Sequence, residues 1–378
     1  MIKLLTYHNI DQQQWRSLIN QSPTATWFQT PEAYAFYASL PEEMRPFAVG
    51  VVEECKASQW ASSDLKVLND LKDGSTDRLA GVIVGYITCE KNPLKQFFTR
   101  RAIIVGGPLL ADDISDEALS ALLKAAAQFK VESLKCKGKA TSEAVTSALT
   151  PYTLHPTPIY IESRNFHDYS RWKYTLEQNG FVYQPHYDIH VHCNAQHQMS
   201  ERRQRELKRA IKNGATVCEA QTEQEVRDWY QILNRLYREK VRTPLFSEEF
   251  FMQFYRNGEG KYLLVKHQGK VIGGMMCPIL KNKAIYEWYV CGLDEEYRDQ
   301  YPSVMATYAA IEYANTNALP LFDFMGAGKP DIPYGVRDFK MEFGGELVEH
   351  GRFLCVRKPL LYWIGKMGMR LLKRRNIK

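Results

Sequence analysis

The side chains best suited to chemistry lie near the C-terminus. Asp323 stands near the end of the apolar run Leu321-Phe322-Asp323-Phe324-Met325, directly before Gly326-Ala327-Gly328. A carboxylate at a strand end beside a glycine loop is well placed for a cleft, as a base or as a group that orients an amine. The same position also suits an aspartate that starts a turn by accepting loop N–H groups. Lys340 sits in Arg337-Asp338-Phe339-Lys340-Met341-Glu342. In a partly desolvated cleft its ammonium would stabilise a developing oxyanion. On an edge strand it would be one of a row of solvated charges.

Four other groups invite a functional reading. Trp288 and Tyr289 alternate on an apolar run, so one can face a cleft while the other packs inward. Arg242, before Thr243-Pro244, is either a bidentate phosphate clamp or a loop arginine in water. His186, His190, His192, Cys193 and His197 suggest metal ligation, with His190, His192 and Asp188 on one strand face. No second ligand pair has zinc-like spacing, so we expect no metal and an ordinary polar strand face. Gly326-Ala327-Gly328-Lys329-Pro330 lacks phosphate-loop spacing, and its proline falls where a helix should open.

The elements that must position these residues come in two sets. In the first, apolar runs at 47–53, 79–89 and 101–107 precede a helical pattern at 116–131, with Ser115 available as its cap. Runs at 261–267, 270–280 and 284–292 precede a helical pattern at 303–315 in the same order. Ile83-Val84-Gly85 resembles Val271-Ile272-Gly273 at an offset of 188, and Gly107 matches Gly292 at 185. His267-Gln268-Gly269-Lys270 and Lys281-Asn282-Lys283 read as hairpin turns. We therefore expect an α/β chain of two similar modules, 1–195 and 196–378. The first carries a polar inserted loop near 55–78, and a strand at 187–193 and a basic helix at 200–213 flank the junction.

Bulk properties agree. At 378 residues the chain exceeds what one core serves, and 45% hydrophobic content suffices for two. No apolar stretch approaches the roughly 18 residues of a membrane span, and residues 1–5 are too short for a signal peptide. Eight scattered cysteines without a CxxC pair read as reduced thiols, so a cytoplasmic protein is expected. Residues 360–378 hold six cations and no acid, matching the net charge of +6, and 360, 364, 367 and 371 form one apolar face. Such a helix either packs on its own core or meets an anionic membrane surface or RNA, making the chain peripheral at the inner membrane face.

A duplicated mixed sheet of this order resembles the GNAT acyltransferase fold. Paired GNAT modules characterise the Fem-type peptidoglycan bridge-forming aminoacyltransferases. The motifs carrying the resemblance run from Arg205 to Gly214, then Tyr289-Val290-Cys291-Gly292, then Gly335 to Gly345 around Phe339-Lys340. The resemblance implies transfer of an aminoacyl group from charged transfer RNA to an amine, on a lipid- or nucleotide-linked cell-wall precursor. It puts a matching lysine, Lys340, in the site and matches Tyr289 to a substrate-associated tyrosine; beside them we take Asp323 as the second catalytic residue and Phe339, Arg242 and Arg337 as substrate contacts. Phe28-Gln29 leads into Tyr34 and Tyr37, where Fem enzymes carry a tryptophan and a phosphate-binding lysine.

No tightly bound cofactor is expected. The turn Tyr297 to Ser303 lacks the glycines that cradle pyrophosphate, and Gly106-Gly107-Pro108 is followed by Asp112 and Asp113. Coenzyme A is thus the less favoured donor. Two alternatives stand beside this reading: an N-acyltransferase using a coenzyme-A or carrier-protein thioester, and a non-catalytic module that binds RNA or membrane.

Overall fold

The computed structural model describes residues 2–54, 77–89, 93–129, 157–193 and 198–375. Nearly all of the expected 55–78 loop, and His197, lie outside them. Among the described residues, sixteen strands form two eight-stranded mixed sheets. The first contains β1 (Ile2–Thr6), β2 (Met44–Glu54), β3 (Asp77–Thr88), β4 (Arg101–Gly106), β5 (Leu109–Leu110), β6 (Tyr160–Asn165) and β7 (Val182–Gln184). The rest of the chain follows with β8 (Asp188–His192), β9 (Ala215–Glu219), β10 (Gly260–His267), β11 (Lys270–Leu280), β12 (Ala284–Tyr286), β13 (Tyr289–Gly292), β14 (Leu321–Asp323), β15 (Glu346–Val348) and β16 (Arg352–Val356).

Composition explains the elements. The β-branched run in β3 is buried along most of its length, as a strand covered on both faces must be. Ser115 caps the helix Asp116–Gln128 by accepting from Ala118 N–H at 3.1 Å, and Leu119, Leu122 and Leu123 line its buried face. The β10–β11 hairpin turns through Gln268 and Gly269, both at positive φ (49° and 77°), as a two-residue primed turn requires. Helix Pro302–Thr316 is buried on most sides against β10, β11 and β13.

The two sheets do not divide at 195/196. β8 lies between β15 and β14 of the second sheet, and β16 lies between β6 and β7 of the first. The chain crosses back at Gly351 (φ 65°), whose N–H donates to His186 O at 3.1 Å. A Cβ there would sit 2.2 Å from the Tyr183 ring. Strand pairing was legible only as a local pattern, and this exchange is long-range. Aromatic packing joins the modules further: Phe28 meets Trp288 at 5.0 Å, Phe36 meets Phe250 at 5.1 Å, and Trp27 meets Phe254 at 5.7 Å.

Candidate active site

The site grows from a parting of strands. The 284–292 run forms two strands, β12 and β13. β12 pairs in parallel with β14 only from Ala284↔Leu321 to Tyr286↔Asp323. Glu287 N–H still reaches Asp323 O at 2.9 Å, but Trp288 N–H turns to Met276 O at 3.1 Å and β13 follows β11. Beyond Asp323 the other chain leans towards β8, with Phe324 N–H on Ile189 O (3.1 Å) and Ala327 N–H on Tyr187 O (2.7 Å). A wedge opens between them.

Lys340 fills that wedge. It projects from the helix Gly335–Met341, not from an edge strand, and it is 8% exposed. Its Nζ donates to Phe324 O and Gly326 O, each at 2.9 Å, and pairs with buried Glu287 Oε1 at 2.9 Å. An ammonium has three protons, so each already has an acceptor. Lys340 therefore contributes a fixed positive charge at the wedge rather than a free donor. Burial raises the Glu287 carboxyl and Lys340 opposes that rise.

Beside the wedge lies a buried acid–imidazole group. Asp323 is fully buried, and its Oδ2 faces His190 Nε2 at 3.5 Å. Its Oδ1 accepts from Met325 N–H at 2.6 Å, so it also starts the turn. Burial disfavours its charge, but the His190 imidazolium overcomes this and holds the carboxyl below the usual range. Burial likewise disfavours charge on His190, yet Asp323 holds its pKa up at about 9. Asp188 Oδ1 accepts from Ile189 and Gly326 N–H, each at 2.7 Å. Burial, then the charge on Asp323, push the Asp188 carboxyl well above its ordinary range. Asp188, His190 and Asp323 each offer a ligand atom within 4.8 Å of the others, so they are the described residues that could hold a cation. Asp323 and His190 form an ion pair, beside which burial and the Asp323 charge disfavour ionisation of Asp188. His192, expected on the same face, is exposed and pairs with Glu346 at 3.4 Å.

A cationic patch adjoins this group on the first sheet. Arg352 and Arg164 are register partners and share Glu162, at 2.8 and 3.1 Å. Burial would raise Glu162, but Arg164 and Arg352 bring its pKa to about 2. Arg352 also meets His186 Nε2 at 2.9 Å, and burial and Arg352 together lower the His186 pKa to about 4. Two guanidiniums thus face one carboxylate and a neutral imidazole. His186 borders the wedge: a Cβ on Gly326 would lie 3.7 Å from its Nε2.

The remaining expected site residues scatter. Arg337 donates to Ala327 O at 2.8 Å and lies over the Tyr187 ring at 4.9 Å, so it braces the loop after Asp323. Phe339 packs beneath the Arg203 guanidinium at 4.3 Å. Tyr289 is half-buried against Phe251 at 5.1 Å and Tyr237 at 6.2 Å. Arg242 is exposed, adopts a left-handed backbone (φ 54°) and donates to Glu239 O at 3.4 Å. The basic helix is less basic than its sequence: Arg202 and Arg203 pair with Glu206 and Glu342, Arg205 with Glu201, and Arg209 with Asp299.

A family model described as an acetyltransferase (GNAT) domain matches residues 198–341. Over the whole length, the crystal structure of FemX superposes with a TM-score of 0.62 at 15% identity, covering 96% of this chain and 99% of that one. The chain has the tandem GNAT fold. L-PGS from Bacillus licheniformis superposes on this tandem GNAT chain at TM-score 0.52 and 11% identity, covering 94% of it and 96% of L-PGS. A tandem GNAT protein from the clavulanic acid biosynthesis pathway gives 0.50 and 10%, covering 94% and 98%. No curated protein matches in sequence. Residues 198–341 thus match a GNAT acetyltransferase domain, and the whole chain has FemX as a structural likeness.

The wedge places Lys340 and Asp323 in one buried neighbourhood, joined by backbone carbonyls of the Phe324–Gly326 turn. Asp188 was singled out only for metal ligation, and Glu162, Arg164 and Arg352 carry no local signal, although Glu287 betrays itself as a lone acid inside an apolar run.

Proposed function

We propose that this tandem GNAT chain transfers an aminoacyl group from charged transfer RNA to the amine of a phosphate-bearing acceptor, lipid- or nucleotide-linked, working in the cytoplasm. The observation that carries the reading is the wedge itself, where a buried Lys340–Glu287 pair adjoins the Asp323–His190 pair. In the transfer, the neutral amine attacks the ester carbonyl, a C–N bond forms as the ester C–O bond breaks, and the amine's proton passes to the leaving ribose oxygen. The fixed charge of Lys340 favours the developing oxyanion, and Asp323 favours the amine that must lose a proton. The excess positive charge of Arg164 and Arg352 suits the acceptor phosphate.

The helix N-termini support a donor other than coenzyme A. In the second module, Ser303 N–H donates to Asp294 Oδ1 at 3.0 Å at the start of helix Pro302–Thr316. In the first, Ser115 N–H and Oγ both donate to Glu53 Oε1, at 2.9 and 2.7 Å. Each N-terminus that would cradle a pyrophosphate already faces a carboxylate, which repels phosphate. Titration calorimetry with acetyl-coenzyme A should show no binding up to millimolar concentration. Micromolar binding would overturn the donor assignment and favour the thioester reading.

The charge balance on the first sheet gives a second test. Arg352→Gln should weaken competitive inhibition of transfer by pyrophosphate about tenfold, the scale of one charge-assisted contact. Glu162→Gln removes the competing carboxylate and should strengthen it. Opposite signs in the two variants cannot come from a shared structural defect; equal signs would discard the phosphate role.

A further inference from the structure

The helix Pro359–Arg375 follows β16 directly and ends the described chain. Two contacts with the body of the protein fall on one side of it. The Tyr362 ring meets Tyr160 edge-on at 5.2 Å, and a Cβ on Gly365 would lie 3.2 Å from Phe98 O of the helix Pro93–Thr99. At 100° per residue, Leu360, Trp363, Ile364 and Met367 share a face roughly opposite those two contacts. All four are exposed, Leu360 at 71% and Trp363 at 60%. Phe97, on the helix that Gly365 touches, is exposed at 47%. The amphipathic helix therefore turns its apolar face outward, the reverse of a helix packed on its own core.

An outward row of one tryptophan and three aliphatic or thioether side chains is unusual on a monomer surface and marks a docking site. Its charge selects the occupant. Residues 360–378 carry six lysines and arginines and no acid. At 100° per residue Lys366 stands about 60° from Trp363, at the flank of the apolar row, with its ammonium 5.8 Å from the Tyr362 ring. Apolar side chains at the centre, cations at the flank and a tryptophan among them match the boundary between acyl chains and anionic headgroups. The helix is not a span: no helix among the described residues is long and apolar enough to cross a membrane.

We propose that the face formed by Leu360, Trp363, Ile364 and Met367 docks onto an anionic lipid bilayer and holds the enzyme at its surface. The proposal does not depend on the donor, the acceptor or the wedge. A protein–protein partner would need complementary acids, and no acid stands in this segment to make the face self-complementary in charge.

The test is co-flotation of the full chain with vesicles of phosphatidylglycerol and phosphatidylcholine, compared with phosphatidylcholine alone. We expect flotation with the anionic vesicles and at least tenfold weaker association with the neutral ones. Each cation near such a surface contributes about fivefold, and 0.5 M salt should remove most of the effect. Trp363→Glu combined with Ile364→Glu should abolish flotation while leaving the thermal midpoint unchanged, since both side chains are exposed. Failure of the wild type to float with anionic vesicles, or equal flotation of the double variant, would overturn the proposal. So would a concentration-dependent dimer by light scattering that the same double variant dissolves, because the occupant would then be a second copy.

Discussion

Lys340→Ala should abolish transfer and also destabilise the fold by about 3–5 kcal/mol, the cost of leaving one partner of a buried ion pair behind. The partner is Glu287, 2.9 Å from Nζ and nearly fully buried. Without the ammonium, Glu287 must either ionise alone or take up a proton, and the carbonyls of Phe324 and Gly326 each lose a donor. A drop in activity alone would not separate chemistry from misfolding. The companion variant Lys340→Met with Glu287→Gln removes both charges together. Most of the stability should return, because no lone charge remains buried, while transfer stays at least a hundredfold down. Urea unfolding and a single-turnover transfer assay read the two effects separately. If the double variant regains activity, the charge at the wedge has no part in the reaction and Lys340 is a structural strut.

That dual character explains why Lys340 could be chosen from sequence while its setting could not. Phe339-Lys340 stands in a motif, and a motif identifies a position but not what its side chain touches. The helix Gly335–Met341 is only seven residues long and was indistinguishable by pattern from a charged edge strand. Asp323 was legible as a strand-end carboxylate because the apolar run and the glycine loop after it are both local signals. Its partners come from elsewhere in the chain: His190 and Asp188 reach it through antiparallel pairing of β14 with β8. Hairpin turns and the capped helix were local and therefore readable, and the repeat showed as a near-constant offset between such local patterns. The exchange of β8 and β16 between the sheets depends on which edges find one another in three dimensions. Arg164 and Arg352 become neighbours only through that exchange, so no spacing in the sequence could announce their patch. Arg242 was chosen by residue type alone, and the chain leaves it exposed, apart from the wedge, donating to Glu239 O.

The Asp323–His190 pair should impose a stability that falls as pH rises through the neutral range. The folded pKa of His190 is about 9, above its ordinary value, so the folded state holds a proton that the unfolded chain releases first. Its contribution is fully present below about pH 6.5 and is lost on the way to pH 9, amounting to about 3 kcal/mol. Asp188, also raised, acts with the same sign. On the acid side the order reverses. His167, His186 and His350 are lowered to about 4, chiefly by burial, so protonating them as pH falls from 6.5 towards 4 favours unfolding. Urea midpoints should therefore peak near pH 6.5 and decline in both directions. Asp323→Asn keeps the acceptor for Met325 N–H but removes the charge that holds the His190 proton. It should flatten the alkaline decline while leaving the acid decline in place. The Asp188→Asn background subtracts the second carboxyl and leaves the His190 limb to be read alone. A wild-type midpoint that stays level from pH 6.5 to 9 would mean that His190 is neutral in the folded protein. Asp323 would then be an unpaired buried carboxylate, and the amine-orienting role drawn from its charge would have no physical basis.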